Sequence, residues 1–180
     1  MKYCEFIADK PDDSVHRPYH DHLYGFPLDD DNELFGRLIL EINQAGLSWE
    51  TILKKEPAFR RAYDNYDIPT IARYGDEDIS RLLSDAGIIR NRLKINAAIH
   101  NANVILGLQK EFGSFKNWLD THHPKSREEW TKFFKKHFKF VGGEIVNEFL
   151  MSTGYLPGAH AEECPVYHKI VECNPAWMKA

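Results

Sequence analysis

The spacing of apolar residues along the chain follows the helical period. Leu34, Leu38 and Ile42 recur at four-residue intervals and share one face of a predicted helix over residues 31–44, which Gly46 ends. Similar periodicity predicts six further helical segments. They are 48–63, which should stop or kink before Pro57, then 68–87, which divides into two short helices, 91–109, 114–122, 126–138 and 142–154.

Little of the chain alternates with the period of a strand. The short segment FKFVG at 138–142 is the best strand candidate. We expect residues 1–30 to be irregular, and likewise the chain from Pro157 onward, apart from a short segment PVYHKIVE at 165–172. The predicted fold class is therefore mainly α.

Length and composition indicate an intracellular protein of one domain, or of two small lobes that share a core. The chain has 180 residues, 43% of them hydrophobic, no run of 18 apolar residues and no apolar segment typical of a secretion signal. Its three cysteines are an odd number and lie far apart, which argues against a disulfide framework. The net charge of −4 is unusual for a nucleic-acid-binding protein, although 90–94 and 132–140 are locally basic.

A helical hairpin is predicted at about 76–110. We expect Gly87 to end the first helix in a left-handed conformation and IIRN to form the turn. Such a turn points backbone N–H groups and a helix N-terminus at one spot, which suits a phosphate, and Arg90, Arg92 and Lys94 would reinforce it. The alternative is an ordinary helical corner with solvated cations.

Four residues of metal-binding type lie near the two ends of the chain. Cys4 and His20 precede the helices, and His160 and Cys164 follow them. Two cysteines and two histidines can complete a closed, structural zinc site. The spacing leaves alternatives open, because His168 and Cys173 form a competing pair and free cysteines with surface histidines need no metal.

The motifs together resemble the constitutive, Tag-type DNA-3-methyladenine glycosylase I family. They occur in order along nearly the whole chain, and the fourth and sixth are long and unusual. They are Cys4, YHD at 19–21, Gly25, QAGLSW at 44–49, LKK at 53–55, DAGIIRNRLKI at 85–95, FKFVG at 138–142 and the His160/Cys164 pair.

The resemblance implies a single helix-hairpin-helix DNA glycosylase domain over 1–180, with its termini joined by one structural Zn²⁺. The implied zinc ligands are Cys4, His20, His160 and Cys164. The implied activity is hydrolysis of the glycosidic bond of 3-methyladenine in alkylated double-stranded DNA, with free 3-methyladenine as product. It also implies a monomer in the bacterial cytoplasm, without a membrane partner.

A carboxylate, Glu41, interrupts the apolar face of the 31–44 helix, where burial is costly unless a partner, a ligand or protonation relieves it. The resemblance makes Glu41 the catalytic carboxylate that recognises the base. The alternative is a buried pair with an arginine such as Arg37 or Arg73. The implied aromatic pocket residues are Tyr19 and Trp49, with Phe6 and Tyr24 where the family usually has tryptophan.

The remaining implied site residues contact DNA. Leu47 would wedge into the gap left by the flipped base, unless it is a core residue under its turn. The DNA-binding set is Gln44, Gly46, Leu47, Gly87, Ile89, Arg90, Arg92 and Lys94. Glu144 and Asn147 depart from the usual family pattern. This leaves open a shifted base preference, and the rival from another class is a zinc-stapled module that binds damaged DNA without cutting it.

Overall fold

The computed structural model describes residues 2–179, and that part of the chain is helical, with no strand. None of its helices combines the length and apolar character needed to cross a membrane. The α-helices are α1 (Tyr3–Ala8), α2 (His16–His22), α3 (Asp31–Gln44), α4 (Trp49–Ala62), α5 (Ile68–Ala72), α6 (Asp76–Ser84), α7 (Arg92–Phe112), α8 (Phe115–His122), α9 (Arg127–His137), α10 (Gly143–Ser152) and α11 (Pro165–Glu172), with short 3-10 helices at Asp64–Tyr66 and Ala176–Met178.

The central helix is α3, as the periodicity predicts. Asp30 caps it by accepting a hydrogen bond from the Glu33 N–H, and every residue from Leu34 to Asn43 is buried. Helices α4, α7, α8 and α10 pack around it. Side chains of a helix that is buried on all sides are held firmly by packing, so the core holds the Glu41 side chain in place.

Two local predictions are wrong because packing overrides sequence preference. Of the two outcomes expected at Pro57, the stop is wrong: helix α4 continues through this residue, and fully buried Ile52 and Phe59 hold the helix in place on either side. The segment 138–142 forms no strand. The Asn101 side chain accepts a hydrogen bond from the Lys139 N–H at 2.8 Å and donates one to the Lys139 carbonyl at 3.1 Å, so it replaces a neighbouring strand.

The two ends of the chain are more regular than expected. Residues 1–30 contain α1 and α2, and the segment after Pro157 contains α11. Gly25 joins these ends, since it has a φ of 88° and a Cβ placed there would lie 2.8 Å from the Ala159 Cβ. Its N–H donates to the Ser152 carbonyl at 2.8 Å. The N-terminal helices therefore lie against the C-terminal segment.

The hairpin is present, formed by α6 and α7, and Asn91 caps α7 by accepting a hydrogen bond from the Lys94 N–H. The predicted left-handed conformation at Gly87 is wrong, because Gly87 is not among the positive-φ residues. A glycine is needed there for a different reason. Its N–H donates to Asp85 at 2.8 Å, and an added Cβ would lie 2.9 Å from the Ala58 Cβ. The close approach of this position to α4 therefore favours glycine.

Candidate active site

A cavity of about 730 Å³ lies where the N-terminal helices meet α3, α4 and α10. Five aromatic residues form part of its wall, with ring centroids separated by 5.2 Å for Tyr19 and Trp49, 5.5 Å for Tyr19 and Tyr24, and 5.2 Å for Tyr3 and Tyr24. The lining includes Tyr3, Phe6, Tyr19, Tyr24, Trp49 and Met151. The four aromatic residues implied by the resemblance thus share one cavity, and Tyr3 and Met151 are additions.

Local structure fixes each wall. Trp49 is the first residue of α4, directly after the Ser48 cap, which accepts a hydrogen bond from the Thr51 N–H. Tyr3 and Phe6 are three residues apart on α1 and so lie on one face of that helix. The buried Trp49 indole nitrogen has no hydrogen-bond partner among the described residues.

Glu41 reaches this cavity from the buried helix α3 and is 3% exposed. Burial, followed by repulsion from Glu148, raises the pKa of the Glu41 carboxyl to about 8, although Arg37 acts to lower it. Among the described residues no ion pair within 4 Å involves Glu41. Arg37 donates to the Ser152 carbonyl instead, and Arg73 is exposed. The predicted alternative of a buried arginine pair is wrong.

A second carboxyl group, Glu148 on α10, also lines the cavity and was missed in the sequence. The Tyr24 hydroxyl donates to it at 3.4 Å, and burial raises its pKa. Glu144 lies one turn earlier at the rim, where it pairs with Arg127 and its side chain is 85% exposed. The four-residue spacing of Glu144 and Glu148 on a helix that buries Phe149 is the sequence signal that could have found Glu148. Asn147 is not part of the lining.

The predicted DNA-contacting residues fall into two neighbouring loops. Gly46 has a φ of 82° in the turn after α3, and Leu47 is 39% exposed, so Leu47 is not a core residue. The Gln44 side chain donates to the Leu47 carbonyl at 3.0 Å and braces this turn. In the hairpin, Arg90 and Arg92 are exposed.

Two hairpin residues lie farther from solvent than Arg90 and Arg92. Ile89 is half-buried against the core. Lys94 is 5% exposed, and its ammonium donates to the carbonyls of Asn43 and Ala45, each at 2.9 Å. The expectation that Lys94 reinforces the phosphate spot is therefore wrong. Its ammonium caps the C-terminal end of α3, where free carbonyls attract a cation.

Side chains from the two ends of the chain form a cluster of metal-binding type. The donor atoms of Cys4, His20, His160 and Cys164 all lie within 4.8 Å of one another. Sulfur-to-nitrogen distances are 3.5 Å for Cys4 and His160, 3.6 Å for Cys164 and His160, and 3.8 Å for Cys164 and His20. Zinc bond lengths in a tetrahedral site give edges of about 3.6 Å between sulfur and nitrogen, so the spacing fits.

The histidine tautomers also fit a metal. His160 Nε2 lies 2.8 Å from the Tyr24 carbonyl, and His20 Nδ1 lies 2.7 Å from the Asp21 carboxylate. Because these oxygens only accept, each of those nitrogens carries its proton, and the other ring nitrogen turns its lone pair to the cysteines. The competing pair does not join them: exposed Cys173 and His168 lie outside this cluster.

Comparison with known proteins identifies the family of this chain. The model of the methyladenine glycosylase family matches residues 9–133. The chain belongs to this family. DNA-3-methyladenine glycosylase 1 of Escherichia coli K12 is 34% identical, over 93% of this chain and 97% of that protein. The match thus spans nearly the full length of both proteins.

Solved structures of 3-methyladenine DNA glycosylase I have a fold similar to that of this chain. A tyrosine-to-phenylalanine variant of 3-methyladenine DNA glycosylase I, in complex with 3-methyladenine, superposes with a TM-score of 0.81 at 32% identity, covering 92% of this chain and 97% of that one. The Staphylococcus aureus 3-methyladenine DNA glycosylase I gives 0.80 at 32% identity, covering 91% and 95%. The mainly helical fold that these proteins share confirms the predicted fold class.

Proposed function

We propose that this chain is a DNA repair glycosylase that hydrolyses the glycosidic bond of 3-methyladenine in alkylated double-stranded DNA and releases free 3-methyladenine. The observation that carries the proposal is Glu41, a buried carboxyl group without a cationic partner among the described residues, at an aromatic cavity. The names of the relatives and of the solved structures support this substrate.

The cavity suits the chemistry of this lesion. 3-Methyladenine is positively charged while it is bonded to deoxyribose, and it must leave the base stack to be reached. The rings of Tyr19 and Trp49 can stack on the flipped cation, and Glu41 can accept a hydrogen bond from its exocyclic amine. Water then adds to the sugar carbon, the bonding pair leaves with the base, and a proton is released. The cationic leaving group needs little protonation.

Two loops would hold the DNA. Arg90 and Arg92, beside the N-terminus of the 21-residue helix α7, offer cations and backbone N–H groups to phosphates. Leu47 extends from the neighbouring turn and could fill the gap left by the flipped base.

We propose that Cys4, His20, His160 and Cys164 bind one structural zinc ion per chain. Donor distances, histidine tautomers and hydrogen bonds to both histidines support this site. A closed set of four protein ligands leaves no position for substrate, so the zinc would link the chain ends rather than take part in catalysis. We also expect a monomer, and the bacterial relatives are in line with a location in the bacterial cytoplasm.

Mass spectrometry of bases released from methylated duplex DNA tests the activity. We expect the wild type to release 3-methyladenine, Glu41→Gln to lose most of this activity, and the exposed Glu128→Gln control to retain it. Release mainly of another alkylated base would favour the same-fold enzyme with a shifted preference, to which rim Glu144 could contribute. Binding of methylated DNA without any released base would favour the non-catalytic module.

Elemental analysis of the purified protein tests the zinc. About one zinc per chain is expected in the wild type and in Cys173→Ser, whose cysteine lies outside the cluster. Cys4→Ser and His160→Ala should lose most of it. Full retention in single variants of all four ligands would contradict the site.

A further inference from the structure

Two carboxyl groups face one aromatic cavity from neighbouring helices. Glu41 projects from α3 and Glu148 from α10, and these helices pack against each other. Their mutual repulsion is a cause of the raised pKa of Glu41. One carboxylate beside the aromatic rings already explains recognition of an amine, so the second carboxyl group requires its own explanation.

Among the described residues, neither of these two carboxyl groups forms an ion pair within 4 Å. The Arg37 guanidinium donates to the Ser152 carbonyl, and Arg127 pairs with Glu144 at the rim. Lys2 lies at the exposed edge of the cavity. The described ionisable groups that act on the two carboxyls or line the cavity are Lys2, Tyr3, Tyr19, Tyr24, Arg37, Arg127 and Glu144. Two carboxyl groups that share a cavity without an ion pair lower their mutual repulsion by holding a proton or by binding a cation, so the arrangement points to a cationic occupant.

We propose that Glu148 is a specificity-determining residue that, with Glu41, makes the pocket favour a positively charged alkylated purine over the neutral free base. The inference rests on the proposed function and adds a role in substrate discrimination. The lesion in DNA is a cation. When the glycosidic bond breaks, its electron pair stays with the base, which leaves uncharged. The same pocket would thus attract the substrate and release the product.

The size of the effect follows from Coulomb's law. One unit charge some 5–8 Å from another in a half-open, partly solvated cavity changes binding by roughly tenfold. The exposed Glu144 carboxylate is screened by solvent and by Arg127, so removing its charge should change binding less than about threefold.

The test compares two small ligands that differ in charge. 3,9-Dimethyladeninium carries a methyl group in place of the sugar, is cationic at the pH of the measurement and has no glycosidic bond to hydrolyse, whereas 3-methyladenine is neutral there. Calorimetry at pH 8.5, above the raised pKa of Glu41, measures both affinities without any cleavage. In Glu148→Gln we expect about tenfold weaker binding of the cation and less than twofold change for the neutral base. Glu148→Asp should restore the preference, and Glu128→Gln should leave both affinities unchanged.

Two outcomes would overturn the proposal. If Glu148→Gln weakens both ligands equally or leaves both unchanged, Glu148 does not select charge. If Glu144→Gln changes the ratio of affinities as much as Glu148→Gln, the effect comes from overall charge. Thermal melting checks the fold, and Glu148→Gln should melt no lower than the wild type because it removes repulsion. Base release from DNA is measured separately, so failure of the glycosylase activity is distinguishable from failure of charge selection.

Discussion

Replacement of Lys94 by methionine separates a structural role from a DNA-binding role. The ammonium is buried and donates to the carbonyls of Asn43 and Ala45, which precede the turn carrying Leu47. Methionine keeps most of the apolar stem and removes the donor. Both carbonyls would then lose their charged partner.

The expected loss of stability can be worked from these contacts. A hydrogen bond to a charged group contributes about 1.5–3 kcal/mol. Burial lowers the pKa of Lys94, which shows that desolvation of the ammonium offsets part of the gain from two such bonds. We therefore expect Lys94→Met to lower the free energy of unfolding by about 2 kcal/mol, or the Tm by roughly 4–8 °C in a chain of this size.

Urea unfolding and thermal melting measure this loss, with Arg92→Met as the matched control. Arg92 is exposed two residues away, so its replacement should change stability by less than about 0.5 kcal/mol. It should instead weaken binding to any DNA sequence and reduce the salt slope by about one. If Lys94→Met melts like the wild type and reduces the salt slope, the ammonium contacts phosphate and the reasoning is refuted.

Three further predictions concern other buried groups. Between about pH 4.5 and 8 folded Glu41 holds a proton that the unfolded chain releases, so the free energy of unfolding should fall as pH rises through this window, and urea melts of Glu41→Gln should show a flatter slope. Gly87→Ala should cost about 1–3 kcal/mol because of the close approach to α4, whereas Gly107→Ala, with open space inside α7, should gain about 0.5–1 kcal/mol by thermal melting. Asn101→Ala should cost about 2 kcal/mol and speed amide exchange at Lys139.

Each of these predictions can fail separately. Equal pH slopes for wild type and Glu41→Gln would show that the raised pKa does not control this window. Equal melting of the two alanine variants would contradict the contact at Gly87. Unchanged exchange at Lys139 in Asn101→Ala would show that the side-chain bridge does not hold that segment.

Local features were predictable and long-range ones were not. Periodicity predicts α3 correctly because its apolar spacing and the glycine that follows it lie in the sequence itself. The sequence gives a wrong prediction at Pro57 because its neighbours in α4 are held by the core. It gives a wrong prediction at 138–142 because the hydrogen-bonding partner of Lys139 is one side chain, 38 residues away.

The candidate active site also combines features that were predictable from the sequence with features that were not. The four metal-type residues and the aromatic pocket residues are prominent by type, and the family resemblance groups them. Glu148 was missed because its role depends on facing Glu41 and Tyr24, and Tyr24 lies 124 residues away. Lys94 was misplaced because a basic motif gives the charge of a side chain but not its direction.

The wall of the cavity is built from both ends of the chain. Tyr3 and Phe6 lie at one end, Gly158 and Ala159 lie near the other, and Cys4 meets His160 across 156 residues. Contacts of such sequence separation carry a loop-closure cost and slow folding. During synthesis Gly158 and Ala159 are added after the hairpin, so the pocket can close only when the chain is nearly complete. An incomplete chain could therefore form the hairpin proposed to bind DNA before it could accept a base.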